Sequence, residues 1–227
     1  MSTTQYCMKR TFGVEMKLTI LTDNPNSWII PFVERFKIFL QENHQVSHVF
    51  DKNLITPGDI LFMLSCEKLV PQKILNLNSN NIVVHPSALP KNRGWSPLTW
   101  QILKNKNTIP VSLFEAEEDV DSGPIYLQEN IELDGSELIN EIKKKQGETT
   151  LKLLKKYISN RNSLTPLPQE GDPSFCSKIT PEHSEINISL SIKDQFNRLR
   201  VADNERYPAF FHHKGTKYVL KIYKEKK

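Results

Sequence analysis

A histidine and an aspartate occupy two bends of this chain at which an open α/β sheet keeps its chemistry. His85 closes an apolar run, Ile82-Val83-Val84, and the chain then turns through Pro86 and Pro90 to Arg93-Gly94. Asp121 opens Asp121-Ser122-Gly123-Pro124, after a second apolar run. Each therefore stands at the carboxyl end of a predicted strand, the edge where open α/β sheets build their sites. An imidazole titrates near neutrality, so His85 can take a proton or donate to a developing oxyanion. A neighbouring carboxylate orients that ring and stabilises its charged form. A lone histidine is more often structural than catalytic. The full pattern, H-P-S-x-L-P-x-x-R-G followed by D-x-G-P-I, is far more specific.

The elements that must position this pair can be read from periodicity. Lys17–Thr22 reads as a first strand, and Asp23–Ser27 carries turn chemistry. Ser27 is placed to cap a helix over Trp28–Glu42, whose Ile29, Val33, Phe36 and Leu40 recur at helical spacing. Val46–Phe50, Asp59–Leu64, Ile82–Val84, Thr108–Phe114 and Ile125–Leu133 read as strands, and Pro71–Leu77 and Pro97–Leu103 as short helices. A long helix is expected from near Asp134, with Glu137 in a capping box, towards Tyr157. Strands alternating with helices predict an α/β fold: a Rossmann-like, mostly parallel sheet with helices on both faces. Asn160–Ser174 is rich in Pro, Asn and Ser and reads as a linker. Beyond it, Ser191–Val201 is expected as an amphipathic helix, followed by a hairpin around Lys214-Gly215. The predicted organisation is thus a loose extension over 1–15, a catalytic domain over 16–159, a linker over 160–175 and a small appendage over 176–227.

Composition excludes several classes. At 38% apolar and 25% charged, the chain of 227 residues has the balance of a soluble globular protein with one good core. No apolar run approaches the ~18 residues of a membrane span, and residues 1–16 lack the apolar centre of a secretory signal. Cys7, Cys66 and Cys176 form no paired spacing, which suits free thiols in a reducing cytoplasm. Cys66 reads as a small buried apolar residue. No G-x-G-x-x-G, Walker loop, H-E-x-x-H or Cys/His cluster is present, so neither a dinucleotide nor a metal is expected. Residues 193–227 hold ten Lys/Arg against four Asp/Glu, a charge of +6 that fits an anionic partner or a solvated fringe.

The His85 and Asp121 motifs together resemble the folate-dependent formyltransferases. The likeness is strong over 58–127 and returns in the tail at ITPEHSEINISLSIKDQFNRLRVADNERYPAFF. Within the family it is closest to the amino-sugar N-formyltransferases, through Gly94-Trp95-Ser96-Pro97. The resemblance implies a co-substrate, 10-formyltetrahydrofolate, and an acceptor, a nucleotide-linked amino sugar. It implies His85 as base or oxyanion donor and Asp121 as its partner. The family's asparagine two residues before the histidine is here Val83; Asn81, four before, lies on the same strand face but ~7 Å further along. The loops Glu67-Lys68-Leu69 and Glu115, Glu117, Glu118, Asp119, Val120 resemble those that hold the pterin through backbone atoms. The acidic loop equally reads as a solvated one.

Substrate contacts are expected from Lys91, Gly94, Arg93 (a phosphate ligand or a surface arginine) and Trp95 (a stacking platform or a core plug beside Trp100). Ser87 is a further substrate candidate, its structural reading being that it shapes the turn after His85. In the tail, Arg200, Asn204 and Tyr207 are candidates for the nucleotide, with core packing the other reading of Tyr207. The appendage is too small to form the β-barrel that tRNA formyltransferases use for RNA, so nucleic acid is not favoured as a partner. A methionyl-tRNA formyltransferase-like enzyme, and a catalytically impaired folate- or nucleotide-binding protein, are the alternative functions. The hairpin's two strands need cover, on the catalytic domain or in a two-fold interface, and the reading takes the chain as a homodimer whose interface includes the helix Ser191–Val201 or the hairpin.

Overall fold

The computed structural model describes residues 14–225, so the expected extension over 1–15, and Cys7 with it, lies almost wholly outside the described residues. Strands β1 (Lys17–Leu21), β2 (Gln45–Val49), β3 (Gly58–Met63) and β4 (Asn78–His85) alternate with helices α1 (Ile30–Gln41) and α2 (Gln72–Leu75). A two-residue strand β5 (Arg93–Gly94) and helix α3 (Pro97–Leu103) follow. Then come β6 (Thr108–Glu115), β7 (Ile125–Glu132) and the long helix α4 (Ile139–Asn160). The chain ends with β8 (Phe175–Cys176), α5 (Phe196–Val201), β9 (Ala209–His213) and β10 (Thr216–Leu220). Six strands form the main sheet in the order β2-β1-β3-β4-β6-β7. The first four are mutually parallel, while β6 runs antiparallel to β4 and β7 antiparallel to β6.

Side-chain alternation sorts the strands onto two unequal faces. Ile60 and Phe62 of β3 and Ile82 of β4 point into a large core with α1, α3 and α4. Leu61, Met63 and Val83 point the other way, into a smaller cluster covered by α2 and Ile55. The period of two therefore places Asn81, Val83 and His85 on the thinly covered face. That face is where a cleft has room to form.

Several boundaries shift for local reasons. Helix α1 begins without a side-chain cap at Ile29, and the Ser27 hydroxyl instead donates to Ser65 at 3.2 Å. Helix α4 begins five residues later than expected. Glu137 folds back within a loop, accepting from the Asp134 and Gly135 amides, and the Glu141 carboxylate accepts from the Leu138 amide at the start of α4. The helix expected over Ser191–Val201 is only the six residues of α5 after a short 3-10 turn, because Ser191 and Asp194 bond each other and Gln195 turns back to Asn187.

The segment after α4 is not a free tether. Leu167 bridges Ile125, and Phe175–Cys176 pairs in parallel with Arg93–Gly94. The tail folds into its own small cluster of Ile186, Leu199, Ala202 and Ala209. It docks on the sheet domain through Arg200, 1% exposed, whose guanidinium donates to Asn107 Oδ1 at 2.6 Å and to Asn197 Oδ1 at 2.7 Å and faces Glu137 at 3.4 Å. Removing one partner of a buried ion pair strands the other, but Lys145 also reaches Glu137 at 2.6 Å. Arg200→Ala should therefore cost about 3 kcal/mol, the low end for such a change, read by urea unfolding. A loss within experimental error would mean that the tail is not anchored here.

Candidate functional site

A cleft of about 480 Å³ opens at the carboxyl ends of β3 and β4, beside the point where strand order reverses between β1 and β3. Its lining falls into two arms. On the thin face, Met63, Val70, Leu75, Val83, Phe114 and Ala116 make an apolar slot. On the other side, Trp28, Lys143, Gln146 and Thr150 give a wall of mixed polarity. His85 and Asp121 line the same cleft.

His85 ends β4 and is 7% exposed. Its Nε2 lies 2.8 Å from the backbone carbonyl of Asn92. A carbonyl oxygen only accepts, so Nε2 carries the proton and, in the neutral ring, Nδ1 keeps the lone pair. Asp121 Oδ2 stands 3.6 Å from that Nδ1 and accepts from the Gly94 amide at 2.7 Å. Asp121 itself lies in the β6–β7 loop with a φ of 52°, a left-handed conformation that Asp tolerates better than most residues. Gly94 must be glycine: its φ is +90°, and an added Cβ would come within 2.8 Å of the Cys176 carbonyl. One short loop, Asn92–Gly94, thus fixes both members of the pair.

The expected site residues divide sharply. Glu67, Lys68, Leu69, Gly94, Trp95, Glu117, Glu118, Asp119 and Val120 join His85 and Asp121 in lining the cleft. The Glu67 and Lys68 amides, however, are taken by the Asp23 carboxylate at 2.7–2.9 Å, so that loop offers shape and apolar side chains rather than those donors. Trp95 sits at the mouth, 40% exposed, with Lys178 5.1 Å above its ring.

Asn81 is outside the cleft. Its amide group donates to the Leu75 carbonyl, as a residue two pleats below His85 should. Glu115 also turns away. Burial raises its carboxyl above the usual carboxylate range, while the Asn81 amide, Asn80 and Tyr126 donate to it and oppose that shift. Ser87 is fully buried, and its carbonyl accepts from Ser112. Lys91 is tied to the Asp172 carbonyl and Arg93 to Gln169 Oε1. Arg200 is the tail's anchor. Asn204 bonds the Ile222 backbone in both directions, and the Tyr207 ring lies under Arg206. Basic and polar residues of the tail were read as ligands because sequence does not reveal internal partners.

Four contributors escaped the sequence reading. Lys143, Gln146 and Thr150 follow Ile139 on α4 at helical intervals of four, three and four, so a polar stripe on a buried face was the available signal. Asp23, read only as turn chemistry, is the acceptor that shapes the Glu67 loop.

With this geometry in place, relatives can be compared. Residues 31–158, more than half of the chain, match the formyl transferase family, and the chain belongs to that family. It is 27% identical over 164 residues to a methionyl-tRNA formyltransferase of Caldicellulosiruptor saccharolyticus, covering 71% of this chain and 52% of that protein. The chain spans about half the length of the curated relatives it matches. The fold is shared with methionyl-tRNA formyltransferase from Clostridium thermocellum, at a TM-score of 0.79 and 20% identity over 93% of this chain and 94% of that one. It is equally shared with a 4-N formyltransferase from Francisella tularensis, at 0.76 and 21% identity over 93% and 98%.

Among the described residues no group of three or more His, Cys, Asp or Glu side chains is placed to hold a metal ion, and no helix is long and apolar enough to cross a membrane. Cys66 lines the cleft but is no nucleophile. Burial, then the charge of Asp23, pushes its thiol up to about 12, and it donates to the Leu21 carbonyl. Its alkylation by iodoacetamide near neutral pH should be on the order of 10³ slower than that of a free thiol, scored by mass mapping of the labelled peptide. Labelling at a free-thiol rate would mean that the cleft floor is open.

Proposed function

We propose that the chain is a folate-dependent N-formyltransferase that moves the formyl group of 10-formyltetrahydrofolate to the amine of a nucleotide-linked amino sugar. The observation that carries this reading is one cleft lined by an apolar slot, a polar helix wall, and His85 and Asp121 3.6 Å apart. Val83, Phe114 and Leu75 would hold the faces of the flat folate ring, and the backbone of the 116–121 loop would pair with its polar edge. When bound, 10-formyltetrahydrofolate supplies an electrophilic formyl carbon. The chain's own residues do the rest. His85 Nδ1 takes the proton of the attacking amine. The imidazolium so formed faces the Asp121 carboxylate, and its new N–H can donate to the developing oxyanion. It then returns that proton to the departing nitrogen of the donor as the old formyl carbon–nitrogen bond breaks. Asn92 keeps the ring from turning. Val83 offers no donor where the family has asparagine, so His85 carries more of the polarisation.

Two features support an amino sugar as acceptor. The Gly94-Trp95-Ser96-Pro97 run resembles that branch, and in the folded chain it places an exposed indole beside a cation at the mouth. The mixed wall of α4 gives polar side chains for hydroxyl groups. The same reading takes the protein as a homodimer through the outer strand of the hairpin, where Tyr218, Val219 and Leu220 are exposed; light scattering would then return twice the chain mass. The names of the curated relatives favour a second acceptor, initiator methionyl-tRNA.

A panel of nucleotide amino sugars and charged initiator tRNA, each incubated with 10-formyltetrahydrofolate, separates the two by mass spectrometry of the products. Formylation of a sugar nucleotide is expected, and formylation of tRNA alone contradicts the proposed acceptor. With the true acceptor, His85→Ala should lower turnover by on the order of 10²–10⁴. Near-normal turnover in that variant, folded by circular dichroism, would remove the mechanism.

A further inference from the structure

We infer that Gln169, in the segment that reads as a linker, is the positioning residue that locks the His85–Asp121 pair into working geometry. The inference rests on the proposed formyl transfer for its catalytic meaning, but its geometric content stands alone. Gln169 uses both ends of its amide. Its Nε2 donates to the Asp121 and Gly123 carbonyls, each at 2.8 Å. Its Oε1 accepts from Arg93 Nε and Nη2 at 3.2 and 2.6 Å. One side chain therefore ties the loop that carries Asp121 to the loop whose Asn92 carbonyl and Gly94 amide hold His85 and Asp121.

The chain after Gln169 reinforces the clamp. Ser174 gives its carbonyl to the Arg93 amide and its hydroxyl to the Asn92 amide. Cys176 accepts from the Trp95 amide. Neither loop belongs to the main sheet: Asp121 is left-handed, and Arg93–Gly94 belongs to a sheet of only two short strands. The Asn92–Gly94 loop sets the spacing between Asp121 and His85, and the amide of Gln169 braces that loop against the one that carries Asp121. The distance matters because a shift of about 1 Å in a reacting group can cost on the order of 10² in rate. Gln169 thereby occupies the Nε–Nη2 edge of Arg93.

The test compares Gln169→Ala with Gln169→Glu in the full chain. Glutamate keeps an acceptor for Arg93 but turns an oxygen towards the two carbonyls, so it breaks the Asp121 side alone. If Gln169 positions the pair, both variants lose roughly tenfold to hundredfold in kcat, while KM for 10-formyltetrahydrofolate and for the acceptor stays within about threefold. Hydrogen exchange at the Gly94 amide, which donates to Asp121, should quicken in both relative to amides of the β9–β10 hairpin. A role confined to anchoring the segment would leave Gln169→Glu with wild-type kcat and wild-type Gly94 exchange, and that result overturns the inference. Should Gln169→Ala fail to fold, Gln169→Glu carries the same test. Should the wild-type protein formylate nothing, the proposed function fails, yet the exchange comparison still decides the role of Gln169.

Discussion

Everything that this cleft can do depends on one short loop being held at a fixed height above the end of β4. The Asn92 carbonyl chooses which nitrogen of His85 carries the proton. Two residues later the Gly94 amide grips the Asp121 carboxylate. His85 and Asp121 are thus held by consecutive peptide groups, whose separation is covalent. The price is a backbone that only glycine can adopt at position 94, and a second strip of chain, 169–176, to keep the loop in place.

The sheet supplies the other constraint. Strands in parallel order expose a crevice at their carboxyl ends, and the period of two decides which residues look into it. Val83 and His85 face the thin side together, so an apolar slot runs directly up to the imidazole. The helices α1, α3 and α4 load the opposite face and supply most of the core. Stability and chemistry are therefore separated across one layer of backbone, which lets the slot stay open without emptying the core.

Much of this was legible in the chain. The apolar runs located most strands of the main sheet within a residue, because buried parallel strands have few other patterns to follow. Strand β4, however, begins at Asn78, four residues before its apolar run, where polar residues pair with β3. His85 and Asp121 stood out because their type and their turns agree. What was not legible depended on partners distant in sequence. Nothing near Arg93 announces Gln169, and nothing near Arg200 announces Asn107. A charged side chain in a turn looks the same whether it awaits a phosphate or is already spent inside the fold. Asn81 shows the reverse case: pleat geometry alone removed it from the reacting centre. The helix boundaries at Ile139 and Phe196 moved because short polar side chains took up backbone amides first.

The central claim is that the Asn92 carbonyl fixes His85 with its proton on Nε2 and leaves Nδ1 as the base beside Asp121. Nitrogen NMR of histidine-labelled protein measures this directly, with His85→Gln used to assign the signal. The account predicts a neutral His85 ring in the Nε2–H form, coupled through hydrogen exchange to the Asn92–Gly94 loop. A neutral ring in the Nδ1–H form, or one averaging both tautomers, would contradict it.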